Sequence, residues 1–444
     1  MTPRAAVVAL LALALLAPLG RAETLVLQCG RVMVGPDRWA PDGVIVVEDG
    51  KIVDVGARVD RPGVARVLDF SGTTVIPGFV VASTSLGLSR PGGNPQTDAR
   101  VRRIDDVDPA DGDWDVARRS GLTTLGLVSP QAGVGGRGAI VKPAKGDRAA
   151  MTVRDDAPLA LGFEADTRTL AALRGGFDAA KRWLEAKAKY DAFVKEQQGA
   201  AAKAKAEAEA KAKAEAEKAK TEGDAKPDSR PDAKPDPKPD PKPAEEAKPK
   251  PPPNPPEDPR VMPFVQVLRG EIPAVFQVRG RDGTMSGTLL HLAAFAKEYG
   301  LKPIVHTDGP SALMVLDELR AVGARLLVSC EMPVDPRTGE IVNVPKRLLD
   351  AKLPFALLPG DNPAAWRHRL ALVARTGVAA EALYPLIGEV PATFLGLGKR
   401  VGKIAKGCDA DLIFLDGDPL DPLARVVRVM VAGETVWERP EAAR

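Results

Sequence analysis

Apolar positions fall into two textures along this chain. At both ends they alternate with polar ones. Residues 24–35 and 43–56 contain Thr24-Leu25-Val26-Leu27 and Val44-Ile45-Val46-Val47, with turn residues at Pro41-Asp42-Gly43 and Glu48-Asp49-Gly50. Period-two runs bounded by such turns predict a small antiparallel sheet. The same texture returns in Ala410-Asp411-Leu412-Ile413-Phe414-Leu415 and in 426–436. Between these ends, short apolar runs alternate with helical patterns. Runs that read as strands are 73–76, Phe79 to Ala82, Thr123 to Val128, Gly138 to Lys142, Ile272 to Val278, Leu301 to His306, Ala324 to Ser329 and Leu353 to Leu358. Leu289, Leu292, Phe295, Ala296 and Tyr299 share one helix face, and Val315, Leu316, Leu319 and Val322 share another. Pro310 suits the first turn of the second helix. Strand–helix alternation of this kind predicts an α/β fold built as a (β/α) barrel.

Two segments stand outside that pattern. Residues 166–198 read as a long helix carrying Leu170, Leu173, Phe177, Trp183 and Phe193. From Gly199 the chain turns to Lys-Ala-Glu repeats, then to Lys-Pro-Asp-Pro repeats that end near Pro256. The first repeats suit a solvated helix laced by opposite charges. The second, with proline at every second or third position, suit polyproline II or disorder. The expectation is a passive insertion. At the N-terminus, Arg4, the apolar run Ala5 to Leu16 and the small-x-small ending Gly20-Arg21-Ala22 have the form of a secretory signal cleaved after about Ala22. Its apolar core is shorter than the ~20 residues that span a bilayer. The mature chain is expected to be exported, periplasmic or secreted, with no membrane span of its own.

Composition narrows the partners. The 444 residues carry 62 basic and 59 acidic side chains, a net charge of +3, so no concentrated basic footprint for nucleic acid is expected. Aromatics make up only 4%, too few for stacking platforms to dominate. Cys29, Cys330 and Cys408 are widely spaced, which suggests buried or free thiols rather than a zinc site; only Cys29 and Cys408 belong to the same small sheet region.

The run Val75-Ile76-Pro77-Gly78-Phe79-Val80-Val81-Ala82-Ser83-Thr84-Ser85 resembles the first barrel strand of the amidohydrolase superfamily, where Pro-Gly-Phe/Leu-Ile/Val-Asp-x-His-x-His supplies two metal ligands. Gly402-Lys403-Ile404-Ala405-Lys406-Gly407-Cys408-Asp409-Ala410-Asp411-Leu412 is similar to that family's Gly-x-Ile-x-x-Gly-x-x-Ala-Asp-Leu signature. The following Asp416-Gly417-Asp418-Pro419-Leu420 resembles the imidazolonepropionase-like branch. The resemblance implies a (β/α)8 TIM-like barrel with a small β-sandwich formed from the N- and C-terminal segments. It also implies metal-dependent hydrolysis of C–N bonds other than peptide bonds. The expected division is signal peptide 1–22, first sandwich half 23–74, barrel 75–198, low-complexity insert 199–258, barrel 259–398 and second sandwich half 399–444.

The chemistry departs from the family pattern. Only His291, His306 and His368 are present, so a four-histidine site within one chain is impossible. Ser83 and Ser85 stand where the first histidine pair would be. In the run Gly270 to Arg279, similar to the branch's Gly-x-Ile-Pro-Val-x-x-His-Ala-His-Arg, Gln277 and Arg279 fall at two histidine positions. His306 lies near the next. Either Gly360 or Asp361 aligns with the catalytic aspartate, and Lys142 ends a run where a bridging lysine could stand. His291 and His368 read as surface residues. The strand ends thus present Ser83, Ser85, Gln277, Arg279, His306, Glu331 and Asp361. Of these, His306 and Asp361 are the catalytic candidates, and Ser83, Ser85, Gln277 and Arg279 the ligand-binding ones. No metal or other cofactor is expected, although the family uses zinc or another divalent ion. A small polar or anionic ligand suits the set, with Arg279 as the fork; a homo-oligomer is compatible with it. A serine hydrolase is disfavoured because Ser83 lacks a nucleophile-elbow frame. Two classes stay open: an exported binding or scaffolding protein on an amidohydrolase fold, and a C–N hydrolase for cyclic amides or dipeptides with an atypical site on His306 and Asp361, single-metal in its simplest form.

Overall fold

The computed structural model describes residues 24–60, 65–89, 98–129, 132–221, 251–280, 284–335, 337–360 and 362–440. The signal-like N-terminus, Asp361 and the proline repeats from 222 to 250 lie outside the described residues. Two compact units are present: one from the chain up to Phe177 and from Pro259 onward, the other Asp178–Asp258.

In the larger unit the two ends of the chain build one eight-stranded sheet. Its junction is the long strand Arg66–Pro77. That strand runs parallel to Leu25–Met33 on one side and antiparallel to Leu412–Leu415 on the other. The sheet curls over a shared core: Leu27, Ile45 and Ile52 from the first half pack with Leu412, Phe414 and Met430 from the second. Each is nearly inaccessible to water, so the N-terminal strands cannot bury their apolar face until the last forty residues arrive.

The barrel positions, in chain order, are Phe79–Thr84, Leu122–Leu127, the joined pair Gly133–Arg137 and Ala139–Val141, Leu159–Phe163, Ala274–Val278, Ile304–His306, Arg325–Ser329 and Phe355–Leu358. Neighbours from Leu159–Phe163 to Phe355–Leu358 pair in parallel, as do Phe79–Thr84 and Leu122–Leu127. The third position is reversed. Ala139–Val141 runs antiparallel to Leu122–Leu127, and Gly133–Arg137 runs antiparallel to Leu159–Phe163. Phe355–Leu358 lies beside Phe79–Thr84 without a ladder, which completes the ring. The expected barrel and its strands are therefore present, several of them starting two or three residues later than the apolar runs suggest.

Outside the ring, Phe163 and Phe276 stack on Phe295 of the helix Met285–Tyr299, at centroid distances of 5.7 and 6.3 Å. Because side chains alternate along a strand, this fixes their neighbours Gly162 and Gln277 to the inner face. The smaller unit begins within the helix Thr167–Thr221, which runs without a break from the apolar segment into the Lys-Ala-Glu repeats. There Trp183 Nε1 donates to the Pro256 carbonyl at 2.9 Å, so the chain returning from the proline-rich stretch lies along the helix.

Reversal of the third strand sends Lys142 away from the mouth, toward the end of the barrel where Gly78 N donates to Asp411 O. Lys142 Nζ there donates to Asp409 Oδ2 at 2.7 Å and to Asp411 Oδ1 at 2.8 Å. Arg400 Nε reaches the same Asp409 oxygen at 2.7 Å. Two cations thus balance two carboxylates, three of the four groups being buried. Lys142 is a structural residue here and stands far from any bridging role at the strand ends. All three cysteines are buried free thiols. Burial pushes the Cys29 and Cys330 thiols up to about 12, which keeps them unreactive.

Removing one partner of a buried ion cluster leaves uncompensated charge, a loss of ~3–5 kcal/mol. Lys142→Met should therefore lower the urea midpoint markedly, and adding Asp409→Asn and Asp411→Asn should recover part of the loss. A single variant as stable as the parent would refute the structural role.

Candidate functional site

The barrel mouth is organised by register. Gly133, Gly162, Gln277, His306, Leu327 and Ala356 are successive cross-strand partners, so they share one level and one face. That face is the interior, because His306 Nδ1 meets Ser83 Oγ at 3.1 Å although their strands are not neighbours. The bond crosses the lumen. Of the six residues at this level, two are glycines and two are aliphatic. Only Gln277 and His306 bring polar side chains.

Each polar group has a distinct state. Ser83 is buried, with 4% of its surface exposed, and its hydroxyl is engaged with the imidazole. His306 keeps slight access to solvent in the lumen but is hemmed in by protein. Desolvation pulls its pKa down to about 4, so the ring is neutral at pH 7. Gln277 Oε1 and Thr307 Oγ1 are buried and have no hydrogen-bond partner among the described residues. Ser85 sits half-buried just past the end of the first strand. The turn that follows is tightly specified: Gly87 has φ +74°, and a Cβ there would lie 2.1 Å from the Trp114 ring.

Arg279 is placed elsewhere. It lies one residue beyond its strand, and its backbone N–H donates to Phe163 O. Its guanidinium lies 3.9 Å from Glu164 Oε1, on a rim cleft of about 670 Å³ also lined by Asp166, Thr284 and His291. The rim set therefore has its own polar character, apart from the Ser83–His306–Gln277 group. Glu331 is 3.8 Å from Arg369, and His368 is an exposed residue of another surface. Glu164 and the glycine pair were not flagged by sequence; the Gly133-Val134-Gly135-Gly136 run is the signal that could have found the latter.

The donors at the mouth fit a divalent metal poorly. Zinc sites are made by thiolate, imidazole and carboxylate, three or four together. Here one imidazole faces a hydroxyl, an amide and aliphatic carbon. Among the described residues, no group of three or more His, Cys, Asp or Glu side chains is gathered to hold a metal.

Comparison with known proteins agrees with the fold. Residues 357–436 match the sequence model of the Amidohydrolase family. A stretch of 84 residues is 34% identical to Amidohydrolase tasK of Hapsidospora irregularis; it spans 18% of this chain and 9% of that protein. The crystal structure of an amidohydrolase from Thermotoga maritima MSB8 is similar over 94% of this chain and 100% of its own, with a TM-score of 0.64 and 22% identity. The ring of strands and the two-ended sheet share the fold of that amidohydrolase structure, and residues 357–436 carry the sequence pattern of the Amidohydrolase family.

The depressed pKa of His306 has a signed consequence. Unfolded, the ring takes up a proton near pH 6.5; folded, only near pH 4. Between these values the unfolded state binds more protons, so stability is full above pH 6.5 and declines as pH falls toward 4. Urea midpoints at pH 7, 5.5 and 4.5 should show this decline, and His306→Gln should flatten it. An identical pH profile in the variant would show that the ring is not held neutral.

Proposed function

We propose that this chain is an exported amidohydrolase-fold protein whose barrel mouth binds a small polar ligand without a metal. The carrying observation is the Ser83–His306 bond across the lumen. It uses the imidazole nitrogen and the hydroxyl that a metal or substrate would otherwise approach. At the same level, the unpartnered Gln277 oxygen offers an acceptor to a ligand bearing an N–H or O–H group. A ligand that satisfied this orphan would regain its desolvation cost of about 1–3 kcal/mol.

A hydroxyl against a neutral imidazole is also the first half of a nucleophilic dyad. Such a base needs a third group to orient it. His306 has no second hydrogen-bond partner among the described residues, and Ser83 stands on a strand rather than on a sharp turn to a helix. Binding is therefore the reading the geometry favours over covalent hydrolysis. Relatives named as amidohydrolases make C–N hydrolysis the activity to test against.

Elemental analysis of purified protein should find well under one equivalent of zinc. The Ser83→His, Ser85→His double variant should gain none, since two imidazoles without a third inward ligand and its supporting hydrogen bonds leave the site incomplete. A thermal-shift screen of small polar compounds should give stabilising ligands whose effect is lost in Gln277→Leu. One equivalent of tightly held zinc, or turnover of cyclic amides or dipeptides by the unmodified protein, would reverse the assignment.

A further inference from the structure

On the flank of the barrel, away from the mouth residues, lies a cavity of about 300 Å³. Three parts of the chain form it: the end of the helix Asp113–Arg119, the start of the helix Trp366–Arg375, and the C-terminal sheet strands with the loop before them. Its wall carries Arg119, Arg367, Arg425 and Arg439, with the Trp437 ring beside them. No aspartate or glutamate lines it among the described residues. Four like charges around one hollow repel one another; water screens the exposed Arg119, Arg425 and Arg439, and nearby carboxylates offset part of the rest.

Only part of the offset is internal. Arg425 is met by Asp416, Nε to Oδ2 at 2.9 Å. Arg367 is fixed by main chain instead: its Nη2 donates to Ala424 O at 2.6 Å and to Asp421 O at 3.2 Å. Asp416 and Asp421 act on Arg367 through space, but Asp416 is already engaged by Arg425. Arg119 and Arg439 make no side-chain hydrogen bond or ion pair among the described residues. Two further donors in the wall are orphaned. Arg367 Nε is buried without an acceptor, and so is the hydroxyl of Ser120, a residue only 8% exposed. Buried donors in native proteins are nearly always paired. Here two of them, on separate elements, adjoin the same hollow and the same excess of positive charge.

We propose that this cavity is an oxyanion site for a small phosphate-bearing organic molecule. Arg367 offers the phosphate oxygens its Nη1 protons and its orphaned Nε, its Nη2 being held by the Ala424 and Asp421 carbonyls; Arg119 and Arg439 supply the remaining charge, and the Ser120 hydroxyl donates to a further oxygen. Guanidiniums in excess over carboxylates, with Asp416 shared among Arg425, Arg367 and Arg439, match a dianion better than a single carboxylate. The volume exceeds what a bare inorganic ion fills and sits at the lower end of the range for organic ligands. The half-buried Trp437 ring offers a face to the organic part. None of this depends on the mouth being metal-free or on its having a ligand.

Isothermal titration of the full-length protein with phenyl phosphate, and with benzoate at equal ionic strength, tests the assignment. Phenyl phosphate should bind with a dissociation constant below about 1 mM and more tightly than benzoate. Arg367→Gln should weaken it by about tenfold or more, the usual cost of losing one charge-assisted bond. Because that variant also frees the loop at Ala424, Arg439→Gln serves as the second probe; its side chain holds no other element in place. Ser83→Ala at the mouth should leave the affinity unchanged. The proposal fails if the parent protein shows no binding, if benzoate binds equally well, if Arg439→Gln has no effect, or if Ser83→Ala abolishes the heat signal.

Discussion

The buried cluster of Lys142, Asp409, Asp411 and Arg400 ties together parts of the chain nearly 270 residues apart in sequence. Charges taken out of water are tolerable only when each meets an opposite partner at hydrogen-bond distance, and here they do. The lysine can reach the aspartates only because its strand runs backwards through the ring. That reversal, the seating of the sheet against the barrel floor and the neutrality of the cluster are one arrangement. Loss of any part would strand a charge. The same cluster gives a physical reason for the Ala-Asp-Leu motif: Asp411 faces the lysine while its flanking residues enter the sheet core.

At the opposite end of the barrel the demand is of another kind. The mouth has few polar groups, and those it has are satisfied by one another or not at all. A neutral histidine, a buried serine and an amide oxygen without a donor form a site suited to hydrogen bonding more than to charge. The charged side chains sit on the rim and flank, where water reaches them. Separating polar lumen from charged periphery in this way limits electrostatic work inside the barrel.

Much of this was legible in the sequence. Short apolar runs bounded by turn residues at both ends and the strand–helix alternation in the middle specify the sheet and the ring; Val44–Glu48 and Leu412–Leu415 are buried on both faces rather than on one. Ser83, Gln277 and His306 could be named from their positions at strand ends, and they do share the lumen. Arg279 could not be placed so simply. The strand stops at Val278, and once the ladder ends, alternation no longer decides where a side chain points. The reversed third strand was equally hidden: an apolar run reads the same in either direction, and only the partner of Lys142 reveals which end is which. The Lys-Ala-Glu repeats read as helix from their composition, but that they continue the apolar helix without a break past Gly199, as Thr167–Thr221, did not, because no apolar face carries across the join.

The reversed strand also changes what this scaffold offers to anyone redesigning it. In a barrel whose strands all point one way, each contributes its final residues, and the loop after them, to the active-site rim. Here the third strand presents its beginning there, at Gly133, level with Gln277 and His306. A functional group grafted onto that sector would have to enter near Gly133 and Gly135, ahead of the strand's own core residues. Substitutions at its far end, however reasonable by alignment, would land in the floor of the barrel. Position in the alignment and position in space part company over these nine residues.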